Sequence, residues 1–173
     1  MTMIKAEKPL LGFAAYSGTG KTTLLIQLLP ILKAQGLRVG MIKHSHHRFE
    51  IDVPGKDSYE LRKAGAAQIL LTSKHRWALI EDREEEHEPQ LQEELNRLDQ
   101  ATLDLILVEG FRHEAFPKIE LHRPSLDKPL LYPNDPNIIA IATDGELSES
   151  TELSILDINN VPAVAEFVTT VIC

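Results

Sequence analysis

The sequence predicts an α/β fold in three layers, with a mainly parallel β-sheet covered by helices on both faces. Three observations carry this reading. Short apolar runs alternate with helical patterns along most of the 173 residues. Several of those runs are apolar without a break, as strands covered on both sides are. The first run, Leu10–Ala15, ends in a glycine-rich turn that leads directly into a helix.

Residues 9–23 read Pro-Leu-Leu-Gly-Phe-Ala-Ala-Tyr-Ser-Gly-Thr-Gly-Lys-Thr-Thr. The core from Ala15 to Thr22 follows the phosphate-loop pattern G-x-x-x-x-G-K-[ST], with Ala15 in place of the first glycine. A polyphosphate is held when successive backbone N–H groups curl around it and a helix N-terminus points at it. Gly18 and Gly20 permit that curl. Lys21 can reach the β- and γ-phosphates, and the Thr22 hydroxyl can meet a bridging Mg²⁺. This places the fold with the P-loop nucleoside triphosphatases, as a single domain over residues 1–173.

The remaining elements follow in order. Thr22–Gln35 is expected to be helical, with Leu24, Leu25, Leu28, Leu29, Ile31 and Leu32 on one broad face, Pro30 as a kink and Gly36 as the stop. Arg38–Lys43 is a second strand. Asp57 and Glu60 resemble a capping pair for a helix that ends near Gly65. Gln68–Thr72 and Trp77–Glu81 are strands. Pro89 opens a charged helix with Leu91, Leu95 and Leu98 on a narrow stripe. Leu103–Val108, Lys118–His122 and Asn137–Ala142 are further strands, and Val161–Val171 is a closing helix. The proline-rich stretch Pro124–Pro136 reads as a long surface loop.

Composition removes several functional classes. The net charge of −8 does not favour a nucleic-acid partner. Nine Asp or Glu against two Arg within residues 81–99 hold most of that surplus, so the rest of the surface can still accept an anionic nucleotide. One cysteine, Cys173, excludes a disulfide or thiolate cluster within one chain. No run has the length of a membrane span and the N-terminus lacks a secretory pattern, so no membrane partner is expected and the expected compartment is the cytoplasm.

Further candidates sit at strand ends, where parallel sheets place their ligand contacts. Glu109, after Leu105-Ile-Leu-Val, is a candidate to hold Mg²⁺ through water or to orient an attacking water. Lys43, His44, His46 and His47 stand at the end of the second strand, as phosphate-side or switch-loop contacts, metal ligands or a plain polar loop, and Asp52 is near enough in sequence to join a Mg²⁺ shell. Thr143 and Asp144 end another strand. There a carboxylate can accept from guanine N1 and N2, or simply start the turn before Gly145. Arg76-Trp77 reads as a ligand-stacking pair or, more commonly, as core. Arg112, His113 and Lys118 read as an anion-binding patch or solvated charge.

Ala15–Thr23, Ile-Lys-His-Ser-His-His at 42–47, Pro-Gly-Lys-Asp-Ser-Tyr-Glu-Leu-Arg-Lys-Ala-Gly-Ala-Ala-Gln at 54–68, Arg-Trp-Ala-Leu at 76–79 and Leu-Asp-Leu-Ile-Leu-Val-Glu-Gly-Phe at 103–111 together resemble the molybdopterin-guanine dinucleotide biosynthesis adapter protein B (MobB) family. The resemblance covers most of the chain from about residue 10, and the 42–68 block is its specific part. It implies a homodimeric GTP-binding protein with weak GTPase activity that assists the molybdenum-cofactor guanylyltransferase. Carried over, Ser17–Thr23 would hold the phosphates, with Thr22 and Glu109 on the Mg²⁺ side and Lys21 and Glu109 as the groups of any hydrolysis. Segments 84–99 and 124–136 match the family poorly. The alternatives are a P-loop small-molecule kinase, which would need an arginine-rich lid, and a metal chaperone built on the histidine loop.

Overall fold

The computed structural model describes residues 4–45, 49–83 and 85–172. They group into two compact units, one made of the chain up to His44 together with the chain from Pro89 onward, the other of Ser45–Glu88. The sequence reading treats the whole chain as one domain.

In the first unit, six parallel strands form one sheet in the order β2-β5-β1-β6-β7-β8. They are β1 (Leu10–Ala14), β2 (Val39–Lys43), β5 (Leu105–Glu109), β6 (Lys118–His122), β7 (Ile138–Thr143) and β8 (Ser154–Asp157). The unbroken apolar runs have the expected cause. Alternate residues of β5 serve opposite cores. Leu105 and Leu107 join Leu11 and Phe13 beneath α1 (Lys21–Ala34) and α4 (Val161–Ile172). Ile106 and Val108 join Leu91 and Leu95 of α3 (Leu91–Asn96) and Phe116 on the other side. The three layers are therefore as expected. Helix α1 runs through Pro30 and presents Leu24, Leu25, Leu28 and Leu32 to the core. Strand β8 carries no comparable signal, being four residues of which only Ile155 and Leu156 are apolar.

Two readings from the sequence change here. Lys118 is neither a solvated charge nor part of a surface anion patch. It is 1% exposed, its ammonium donates to Asp135 at 2.9 Å, and it lies 4.8 Å from the Phe116 ring centroid. The stretch 124–136 is not a plain loop either. It holds two short 3-10 turns, Pro124–Leu126 and Tyr132–Asn134. The buried Glu120 carboxylate accepts from the backbone N–H groups of Leu131 and Tyr132, each at 2.8 Å. Burial pushes the Glu120 carboxyl up, and those two amide bonds work against the rise.

The second unit holds α2 (Asp57–Lys63), β3 (Gln68–Thr72) and β4 (Trp77–Glu81). Both strands fall where the sequence puts them, but they pair antiparallel in their own sheet. The four residues between them suffice for a hairpin, whereas a parallel crossover needs a dozen or more. Arg62 of α2 is buried and donates to Asp52 at 2.8 Å and to Asp82 at 2.9 Å, with Glu50 as a third partner. These bonds hold the guanidinium well above the usual range and the Asp52 carboxyl below its own. Trp77 is 71% exposed, so it is not the core residue its position suggests.

His122, the last residue of β6, is buried, and burial holds its imidazole below the usual value despite the opposing influence of Asp144. The unfolded chain takes up this proton near pH 6.5 and the folded chain only at lower pH. Stability therefore declines as the pH falls below about 6.5. Urea unfolding of the parent and His122→Asn across pH 5–8 should show a flatter profile for the variant; parallel profiles would refute the assignment.

Candidate functional site

The site grows from the position of β1. It lies between β5 and β6 with parallel pairing on both sides, and the registers set Phe13 opposite Glu109 and Ala14 opposite Glu120. The carboxyl ends of three strands thus meet around the turn that leaves β1. Gly18 and Gly20 adopt φ of 83° and 99°, left-handed values that a side chain rarely tolerates. Gly20 is the N-cap of α1, so the N–H groups of Lys21, Thr22 and Thr23 open the helix and cannot be used within it. Ala15 keeps out of the left-handed region, which is why alanine serves at the first bend.

The interior of the turn is braced. Thr19 is buried and its hydroxyl donates to the Tyr16 carbonyl at 2.8 Å. Ser17, Gly18, Thr22 and Thr23 face solvent. The Lys21 ammonium folds back across the turn and donates to the Ala15 carbonyl at 3.2 Å. Burial holds this ammonium below the usual lysine range against the opposing pull of Glu109, and the positive charges of Lys43 and Arg112 add to the lowering.

Glu109 ends β5 and forms an ion pair with Lys43 of the neighbouring β2 at 3.1 Å. The Glu109 carbonyl accepts the N–H of His44 at 2.9 Å. The chain then turns sharply, with Gly110 at φ 104° and Phe111 at φ 51°. The His44 ring stacks on Phe111 with centroids 4.8 Å apart, which fixes the imidazole against an apolar surface. The structure therefore gathers Lys21, Lys43, His44 and Glu109, as the sequence expects, and adds Arg112 to their electrostatic surroundings.

On the other flank of the turn, Thr143 ends β7 and its hydroxyl is bonded with the backbone of Gly145. Asp144 follows, and its carboxylate is ion-paired with Arg123. The same guanidinium donates through Nε to the Thr19 carbonyl at 2.9 Å. Arg123 also lines a cavity of about 120 Å³ together with Gly20, Thr23, Gln27, Ile158 and Asn159. Sequence reasoning does not single out Arg123. Its one signal is its place directly after a strand of the parallel sheet.

Asp52 belongs to the second unit, where its carboxylate is engaged by Arg62. His46 and His47 lie outside the described residues. Among the described residues no group of three or more His, Cys, Asp or Glu is placed to hold a metal ion, and no helix is long and apolar enough to cross a membrane. A divalent ion would instead share its ligands with a bound polyphosphate. The solvent-facing Thr22, next to Lys21 in the chain, and Glu109, which acts electrostatically on Lys21, carry hard oxygen donors suited to Mg²⁺.

The model of the family "Molybdopterin guanine dinucleotide synthesis protein B" (MobB) matches residues 10–144. The chain is 52% identical over 165 residues to the molybdopterin-guanine dinucleotide biosynthesis adapter protein of Escherichia coli (strain K12), covering 95% of this chain and 93% of that protein. It is 44% identical to the protein of the same description from Haemophilus influenzae, over 92% of this chain and 87% of that one. Among solved structures, a crystal structure of molybdopterin-guanine biosynthesis protein B superimposes with a TM-score of 0.72 at 25% identity, over 94% of this chain and 99% of the other. The crystal structure of Bacillus subtilis MobB gives 0.73 at 25% identity, over 95% and 98%.

Gly110 offers a direct check on the geometry beside Glu109. A Cβ there would lie 2.6 Å from the Cβ of His44 and would have to sit at positive φ. Gly110→Ala should lower stability by roughly 1–3 kcal/mol in urea unfolding. A variant as stable as the parent would mean that this turn is not built as described.

Proposed function

This chain belongs to the molybdopterin guanine dinucleotide synthesis protein B family, and from that membership and the site we propose that it is a GTP-binding adapter in the assembly of the guanine dinucleotide form of the molybdenum cofactor. The observation that carries the reading is the meeting of a braced phosphate loop, a partly desolvated Lys21 and the Glu109–Lys43 pair at one end of the sheet. The N–H groups at the start of α1 and the Lys21 ammonium hold the β- and γ-phosphates. When nucleotide arrives, Lys21 exchanges the Ala15 carbonyl for phosphate oxygen, a stronger charge-assisted partner. The Thr22 hydroxyl and the Glu109 carboxylate would hold a Mg²⁺ beside the phosphates, and such an ion would supply charge neutralisation. Lys43 and His44 border the same space. Asp144, placed by Thr143 at the end of β7, presents the carboxylate that selects guanine.

Hydrolysis is slow in this reading. Arg123 is committed to Thr19 and Asp144, and lack of an arginine finger costs on the order of 10³–10⁵ in rate. The partner is the guanylyltransferase that the adapter serves, and the protein works in the cytoplasm as a homodimer. Support for the dimer lies in the hairpin. Leu70, Trp77 and Leu79 share one face of β3–β4 and are 61%, 71% and 50% exposed, an apolar surface that a second copy would cover.

Calorimetric titration with GTP, ATP and GDP, with and without Mg²⁺, tests the central assignment. GTP should bind best and with Mg²⁺, and Lys21→Ala should weaken it about tenfold or more through loss of a charge-assisted contact. A variant that keeps the parent affinity, or a parent that ignores GTP, overturns the reading. Sedimentation should show a dimer that dissociates in Trp77→Asp; a monomeric parent would remove the homodimer.

A further inference from the structure

Resting on the reading that Asp144 selects guanine, we propose that Arg123 is a positioning residue for base selection, tying the Asp144 carboxylate to the backbone of the phosphate loop. One planar guanidinium makes both contacts. Its Nε donates to the Thr19 carbonyl at 2.9 Å and its Nη1 to Asp144. A rigid fork of donors fixes both separation and direction, which a lysine ammonium cannot do.

Both ends of the link are themselves held. Thr19 is 2% exposed and braced by its bond to Tyr16, so its carbonyl is a firm anchor. The backbone around Asp144 is held by the Thr143–Gly145 bonds. The remaining freedom is rotation of the Asp144 side chain, and the ion pair removes it. The link spans 104 residues of sequence on one side and 21 on the other, so it joins the loop after β1 to the loop after β7.

The cavity shows where a ligand would feel this. Gly20, Thr23 and Gln27 of the loop and α1, Ile158 and Asn159 after β8, and Arg123 all line it. A nucleoside whose phosphates sit on the loop and whose base reaches Asp144 passes Arg123. An oxygen that accepts from Arg123 keeps a second lone pair, so the carboxylate can still take N–H donors from guanine. The guanidinium also offsets the repulsion between Asp144 and an incoming polyphosphate.

Affinities for GTP and ATP should be measured for the parent, Arg123→Ala, Arg123→Lys, Asp144→Ala and the Arg123→Ala/Asp144→Ala double variant. The expected result is that Arg123→Ala lowers the GTP-over-ATP preference about tenfold. Arg123→Lys should restore part of it, and Arg123→Ala should change nothing further in the Asp144→Ala background. The ratio is read within each folded sample, so a general loss of stability does not imitate it. Equal loss of GTP and ATP affinity would make Arg123 a strut of the loop and overturn the proposal, as would additive effects of the two substitutions. A parent without GTP preference removes the base-reading role of Asp144 and this proposal with it. A parent with the preference, retained in Arg123→Ala, removes the role of Arg123 alone.

Discussion

Everything at the site depends on one constraint, that β1 must lie inside the sheet with a parallel neighbour on each side. Leu11 and Phe13 are buried, and the strand bonds to β5 along one edge and to β6 along the other. A parallel arrangement brings the carboxyl ends of those strands to the same side. The turn after β1 is therefore flanked without further adjustment by Glu109 from one neighbour and His122-Arg123 from the other. The two left-handed glycines of the turn act on a frame already set by hydrogen bonding.

The electrostatics follow from that frame. The chain carries a net −8, yet Lys21, Lys43 and Arg112 share the neighbourhood of one turn. Glu109 offsets part of this positive charge, and the remainder is left for an anion. On the far flank the ion pair of Arg123 and Asp144 is neutral as a unit. The two flanks of the turn thus differ in charge, with a surplus of cations on the β5 side and a balanced pair on the β6–β7 side.

The layers and most strands were legible in the sequence because β1, β5 and β7 are unbroken apolar runs, and few other structures bury both faces of such a run. The glycine-rich turn between β1 and α1 was legible because its residues are local in sequence. What escaped was non-local. Gln68–Thr72 and Trp77–Glu81 carry the same strand signal as the rest, and only the short connection between them tells that they pair with each other. Strand β8 is too short and too polar at its ends to stand out. Lys118 reads as surface until its partner Asp135, 17 residues away, is placed beside it. Arg123 owes its position to contacts with Thr19 and Asp144 that no local pattern encodes.

The Glu120 carboxylate accepts hydrogen bonds from two backbone N–H groups in the second half of the 124–136 segment and so tethers that segment. A proline-rich stretch without such a tether would sample many conformations, and ordering it around a ligand would cost entropy. Here that ordering is done during folding. The start of the segment is stitched to Thr19 through Arg123, and its end is held by Glu120 and Lys118. The backbone beside the cavity is therefore ordered before any ligand arrives.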